Sequence, residues 1–175
     1  NNNKWRTRDI VFDKKFYIYL PISISAAFIS TGLTFHQIFI ITAKGWTIQM
    51  LASGFVFLGI FSIIGLMIGG PIVDKYNTKK VIYFTLVPLF VGILTIFFFD
   101  NFFFIFVYMS CLGFSLGIGT PIVGALWAEL YGTESLGTVK ALLHALMVFF
   151  SALSPVIFGY MIDLGMGILS LCVLS

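Results

Sequence analysis

Polar and apolar positions along this chain fall into long blocks, and block length rather than any short period carries the structural signal. Charge-free runs cover residues 16–43, 45–73, 81–99, 101–128 and 141–162, the shortest of them 19 residues long. A helix rises about 1.5 Å per residue, so about 20 apolar residues cross a hydrocarbon core about 30 Å thick. Inside lipid each backbone N–H and C=O needs a partner within its own segment, which makes every run a helix. The runs predict helix 1 over about 18–42, helix 2 over about 49–73 and helix 3 over about 80–99. Helix 4 follows over about 102–126 and helix 5 over about 137–162. Pro21 is tolerated in the first turn of helix 1. Short links make neighbouring helices antiparallel, and the link at 100–101 is tight enough for a hairpin of helices 3 and 4. A further apolar run begins at residue 164, predicts a helix 6 from near 166 and stops after 12 residues, and the chain opens on Asn1. The sequence thus reads as a fragment of a longer protein.

Composition gives the blocks a class. Hydrophobic residues make up 59% of the chain and charged residues 10%, with a mean hydropathy of +1.06. Soluble domains carry about 25% charge, and their surfaces cannot be covered by so apolar a chain. Disorder, collagen and a disulfide scaffold are excluded as well. The fold class is an all-α polytopic membrane protein, with five full transmembrane helices and a truncated sixth.

Charge placement sets an orientation. With the N-terminus cytoplasmic, Lys4, Arg6, Arg8, Lys14, Lys15, Lys75, Lys79, Lys80 and Lys140 share that side, and only Lys44 lies opposite. This bias fits the positive-inside rule, and Trp and Tyr residues gather at the same boundaries. The basic leader, residues 1–15, lacks the apolar core of a secretory signal. No basic patch outside the loops suggests nucleic acid. Cys111 and Cys172 sit alone in apolar runs, and no CxxC, HExxH or phosphate-loop motif is present, so neither a metal nor a cofactor is expected.

Small and polar residues within the spans mark candidate sites. Helix 4 places Ser110, Gly113, Gly117, Thr120, Gly124 and Trp127 on one arc, and helix 2 repeats the pattern with Gly65 and Gly69. Such arcs let helix backbones approach closely, the plainer reading, or they line a solute path. Helix 3 is apolar on nearly all sides and reads as peripheral and lipid-facing. Helix 1 carries Ser23, Ser30, Thr34 and Gln37 on one arc and His36 opposite; helix 5 carries Lys140, His144, Ser151 and Pro155 on one stripe. A histidine in a span is a functional candidate by default, and its plainer role is a neutral packing contact. No Asp, Glu or Arg lies in mid-span, so any coupling proton would ride on a histidine or on the rest of the protein.

The loop between helices 2 and 3 holds Gly70, Asp74, Lys75, Asn77, Lys79 and Lys80. It resembles the signature loop of the major facilitator superfamily, G-x-x-x-D-[RK]-x-G-x-[RK]-[RK], with Asn77 at the one departing position. Asn is among the residues that best tolerate the positive φ a Gly would supply. The stretch from Ala125 through Trp127 and Glu129 to Gly132 looks like the fourth-to-fifth helix passage of bacterial members. The resemblance implies half of a twelve-helix fold, built as a 3+3 inverted repeat. The leader resembles the end of the central interdomain loop, so residues 16–175 are matched to the C-terminal six-helix half. An N-terminal half would carry the same loop motif, and the choice rests on the leader and on the passage after Ala125.

The resemblance further implies secondary active transport of a small solute by alternating access, in a bacterial inner (plasma) membrane. The implied partners are that solute, a coupling proton or ion, the lipid bilayer and the missing N-terminal half. The implied solute site draws on the first and fourth helices, giving Ser30, Thr34, His36, Gln37, Gly117 and Thr120 as candidates, with His144 from helix 5. Gly70, Asp74, Lys75, Asn77, Lys79, Lys80 and Glu129 would form a conformational latch. Asp74 would face a helix N-terminus of the other half, and Lys75 would pair with Glu129 to hold the two repeats together. Helices 1 and 4 should then stand side by side. A non-transporting scaffold or sensor is the alternative. A remote one is an intramembrane serine protease using Ser115 and His144, although Leu116 stands where its motif needs a second Gly.

Overall fold

The computed structural model describes residues 5–164, so the expected helix 6 lies outside the described residues. Those residues form α1 (Thr7–Val11), α2 (Lys14–Phe35), α3 (Gln37–Ala43), α4 (Ile48–Lys75) and α5 (Thr78–Val81). After a 3₁₀ segment, Ile82–Leu86, come α6 (Val87–Phe98), α7 (Phe103–Tyr131), a 3₁₀ turn at Thr133–Ser135 and α8 (Leu136–Asp163). Five helical stretches are long and apolar enough to cross a membrane, and the chain is an integral membrane protein. Span 1 is α2 with α3, span 2 is α4, span 3 runs from α5 to α6, span 4 is α7 and span 5 is α8.

Two spans depart from the single helices expected. Span 1 starts earlier, at Lys14, because the Asp13 side chain caps it by accepting the Lys15 N–H (3.0 Å). Pro21 therefore lies well inside the helix rather than in its first turn. The same span breaks at His36 (φ −99°, ψ 14°), whose Nδ1 lies 2.9 Å from the Gly32 carbonyl. A carbonyl only accepts, so the ring proton sits on Nδ1. The continuation α3 ends in a left-handed Gly45 (φ +68°), where Trp46 N–H reaches back to the Ile41 carbonyl (2.8 Å), a Schellman closure. In span 3, Pro88 lacks an N–H and crowds the carbonyl four residues before it, so the chain tightens to 3₁₀ over Ile82–Leu86.

Glycines decide which spans touch. A Cβ on Gly113 or Gly117 would overlap the backbone carbonyls of Leu58 and Ser62, so α7 can lie on α4 only without one. From the other side, a Cβ on Gly65 would stand 2.6 Å from the Phe114 carbonyl. Span 1 packs on span 5 in the same manner. A Cβ on Gly32 would lie 2.5 Å from Ser154 Oγ, and that hydroxyl donates to the Phe28 carbonyl (2.6 Å). Exchanging span 1 with 4 and span 2 with 5 turns one of these pairings into the other, as a 3+3 repeat requires. Span 1 is not the long neighbour of span 4. The two meet near one end, where Phe16 packs on Trp127 (ring centroids 5.3 Å), and share a buried cluster toward the other, with Leu33 and Tyr108 among its members, while a cavity lies between.

Span 3 is lipid-facing on one side only. It buries Leu89, Ile93 and Ile96 in the core shared with α7 and exposes Phe90, Val91 and Phe98. Lys75, Lys79, Lys80 and Lys140 stand at one end of the bundle, here the basic end. At the other end Lys44 pairs with Asp100, and Trp46 Nε1–H donates to the Asp100 carbonyl (2.8 Å), tying the first loop to the hairpin of spans 3 and 4. The described part of the leader is folded onto the bundle. Ile10 is fully buried in a cluster with Phe16, Trp127, Tyr131, Val139 and Leu143. Trp5 N–H donates to Ser135 Oγ (2.9 Å) and the Tyr131 hydroxyl to Asp13 (3.1 Å). The folded unit thus begins before Phe16.

Candidate functional site

A cavity of about 320 Å³ opens between α2, the 3₁₀ segment of span 3, α7 and α8. Small residues make the room: Ala26 and Ala27 on α2, Gly119 and Gly124 on α7. A Cβ at Gly119 or Gly124 would meet nothing within 4 Å, in contrast to Gly113 and Gly117 on the same helix. The remaining wall is largely apolar, from Ile22, Leu116, Val123, Leu143 and Met147.

Polar groups enter at graded depth. Trp127 lies four residues before the end of α7, and Lys140 four residues after the start of α8. Each is therefore about 6 Å in from the basic end, His144 about 12 Å and Thr120 about 16 Å. The hydroxyls have spent their hydrogens on backbone. Ser23 donates to the Tyr19 carbonyl (2.9 Å), Thr120 to Leu116 (3.0 Å) and Ser115 to Thr85 across the helix interface (2.7 Å). Trp127 is 1% exposed, packed near-parallel to Tyr131, and its Nε1–H has no acceptor among the described residues. Lys140 and His144 likewise have no hydrogen-bond or ion-pair partner among the described residues, and no carboxylate lines the cavity.

Of the seven sequence-predicted solute residues, only Thr120 and His144 reach this space. His36 turns to α8, outside the cavity, where its ring stacks on Phe158 (6.3 Å, 26°) and approaches Gly159. Ser30 is buried and donates to Ala27 (3.2 Å), Thr34 is exposed away from the cavity, and Gln37 is buried outside it. Gly117 is consumed by contact with α4. Lys140 and Trp127 lie on the helix 5 stripe and the helix 4 arc but are not among the predicted solute residues, and Gly119 lies off the arc that Gly113 and Gly117 define.

The loop motif is rearranged from expectation. Lys75 does not pair with Glu129; its ammonium lies over the Tyr76 ring, 5.6 Å from the centroid. Glu129 instead accepts from Thr78 Oγ, and Thr78 is fully buried. This contact places the loop beneath the end of α7, on the same face of the bundle as Glu129. Asn77 has no positive φ: at −65°, 119° it is the N-cap of α5, accepting the Lys79 N–H (3.0 Å) through its side chain. Capping, a task Gly performs less well, accounts for the departure from the pattern. Asp74 is exposed without a partner among the described residues, and Gly70 opens on empty space.

Ser115 and His144 line the same cavity, yet the Ser115 hydrogen goes to Thr85 and not to an imidazole, so no nucleophile–base pair is formed. Among the described residues no three His, Cys, Asp or Glu side chains stand close enough to hold a metal ion. In comparisons with known proteins, the family model of the Major Facilitator Superfamily matches residues 16–172. No curated protein and no solved structure matches the chain.

Proposed function

Because the chain belongs to the Major Facilitator Superfamily, whose members are membrane transporters, we propose that it forms one half of a secondary active transporter. The complete protein moves a small solute by alternating access, with the cavity between α2, α7 and α8 as this half's part of the path. The observation that carries this reading is the cavity itself: glycines that touch nothing, beside Lys140 and His144, which have no partner among the described residues. The basic end is the cytoplasmic one, as the distribution of Lys and Arg supports, and residues 1–15 are the end of the central loop before the C-terminal half. A bacterial inner membrane is the setting the loop sequences favour. Asp74 and Gly70 are the points of contact with the other half, which the exposure of Asp74 and the open space beside Gly70 support.

Alternating access is testable without knowing the solute. In the full-length protein with Cys111 and Cys172 replaced by Ser, Gly119→Cys puts a thiol in the cavity, and Val91→Cys puts one on the lipid-facing side of span 3. A membrane-impermeant thiol reagent should label the Gly119→Cys protein from either side of the membrane and the Val91→Cys protein from neither. Labelling of Gly119→Cys from one side alone, as a static scaffold would give, rejects transport through this cavity.

A further inference from the structure

Resting on that transport reading, we propose that the cavity takes a small organic anion: an oxyanion group held by Lys140 and His144, carried on an apolar body. Charge supports this first. Among the described residues Lys140 is the only formally charged side chain in the lining, and no carboxylate of theirs stands there to neutralise it. Beside apolar walls an unpaired ammonium attracts an anion far more strongly than at an open surface.

Hydrogen bonding points the same way. The four lining hydroxyls, Thr85 on the Ile82 carbonyl among them, direct their hydrogens at backbone carbonyls, so the hydrogens left to face the cavity belong to Lys140 and His144. A solute that enters must supply acceptors for these donors. Lys140 and His144 are four residues apart on one helix face, with Cβ atoms about 6 Å from each other, a spacing one oxyanion bridges. Trp127 adds an aromatic wall at the depth of Lys140, and its own N–H is buried away from the open space. Deeper in, Leu116, Val123 and Met147 offer contact to carbon and nothing to a second charge.

The same head-group chemistry belongs to soluble anions and to anionic lipids, and the occupant argued here is the soluble one. Benzoate, benzamide and benzylamine share a ring and differ in charge, which makes them suitable probes. Full-length protein carrying Gly119→Cys is reconstituted in phosphatidylcholine vesicles, and the rate of thiol labelling is followed with each probe. Benzoate at millimolar concentration should slow labelling about threefold or more, whereas benzamide and benzylamine should leave it unchanged. Lys140→Gln should raise the half-protecting benzoate concentration about tenfold, Lys140→Arg should hold it within about threefold, and His144→Gln should fall between. Equal protection by all three probes, or full benzoate protection in Lys140→Gln, overturns the proposal. Protection by added phosphatidylglycerol with no further effect of benzoate makes the occupant a lipid and overturns it too. The two readings fail separately: two-sided labelling without benzoate protection rejects the anion alone, and benzoate protection with one-sided labelling rejects transport alone.

Discussion

At the scale of single residues, the glycines of α7 show how position alone divides one residue type between two tasks. Gly117 is pressed against the Ser62 carbonyl, while Gly119, two residues on, faces the cavity and touches nothing. Replacing Gly117 with Ala therefore forces α7 off α4, at a cost of about 1–3 kcal/mol for overpacking. Gly119→Ala, filling empty space, should stay within about 0.5 kcal/mol of the parent. Thermal unfolding of the purified full-length protein in detergent checks the pair. Equal midpoints for the two variants would mean that the helix contact is not as close as described. In the sequence the two glycines look alike, because a 100° wheel shows which residues share a face but not which neighbour that face meets. The same blindness sent Glu129 to Lys75 by charge alone. The structure gives it Thr78, which reaches the carboxylate because α4 ends at Lys75 and Asn77 starts a new turn.

At the scale of elements, the five spans were legible because the bilayer leaves a chain few options: long, uncharged and internally hydrogen-bonded. What the blocks could not show was how each span is broken. The interruption at His36 and the 3₁₀ stretch before Pro88 depend on one side chain and one missing N–H, and neither changes the average apolarity of its run. The leader was legible only as charge. Its anchoring residue is Ile10, fully buried in a cluster with Val139 and Tyr131 while the apolar Phe12 two residues on stays exposed. Burying such a side chain is worth about 1.5–3 kcal/mol. Ile10→Asp should thus release the leader, and tryptic cleavage after Arg8 should quicken about 10- to 100-fold while the spans stay folded. Gel analysis of timed digests in reconstituted vesicles gives the rate. An unchanged rate would assign the leader's docking to the Trp5–Ser135 and Tyr131–Asp13 bonds instead.

At the scale of the whole molecule, spans 1 and 5 and spans 2 and 4 form two close pairs with the cavity between them, and on the proposal of alternating access this half moves against the other. On that proposal Asp74 biases the movement. It ends α4 in a loop stiffened from within, by the Asn77 cap and by the Thr78 bond to Glu129, yet its own carboxylate has no partner among the described residues. A carboxylate against a helix N-terminus of the other half is worth about 1–2 kcal/mol in a partly buried setting, or about 5- to 30-fold in a two-state population. On the latch proposal the contact forms at the basic end and stabilises the state closed on that side. Asp74→Asn should therefore raise labelling of a Gly119→Cys thiol from the basic side and lower it from the opposite side, with the ratio moving by about that factor. Lys79→Gln, which removes an exposed charge from the same loop, should leave the ratio where it was. The comparison separates a latch from a topology anchor. Were Lys79→Gln to shift the ratio as far as Asp74→Asn, the loop would act through its overall charge, and Asp74 would hold no special place in the cycle.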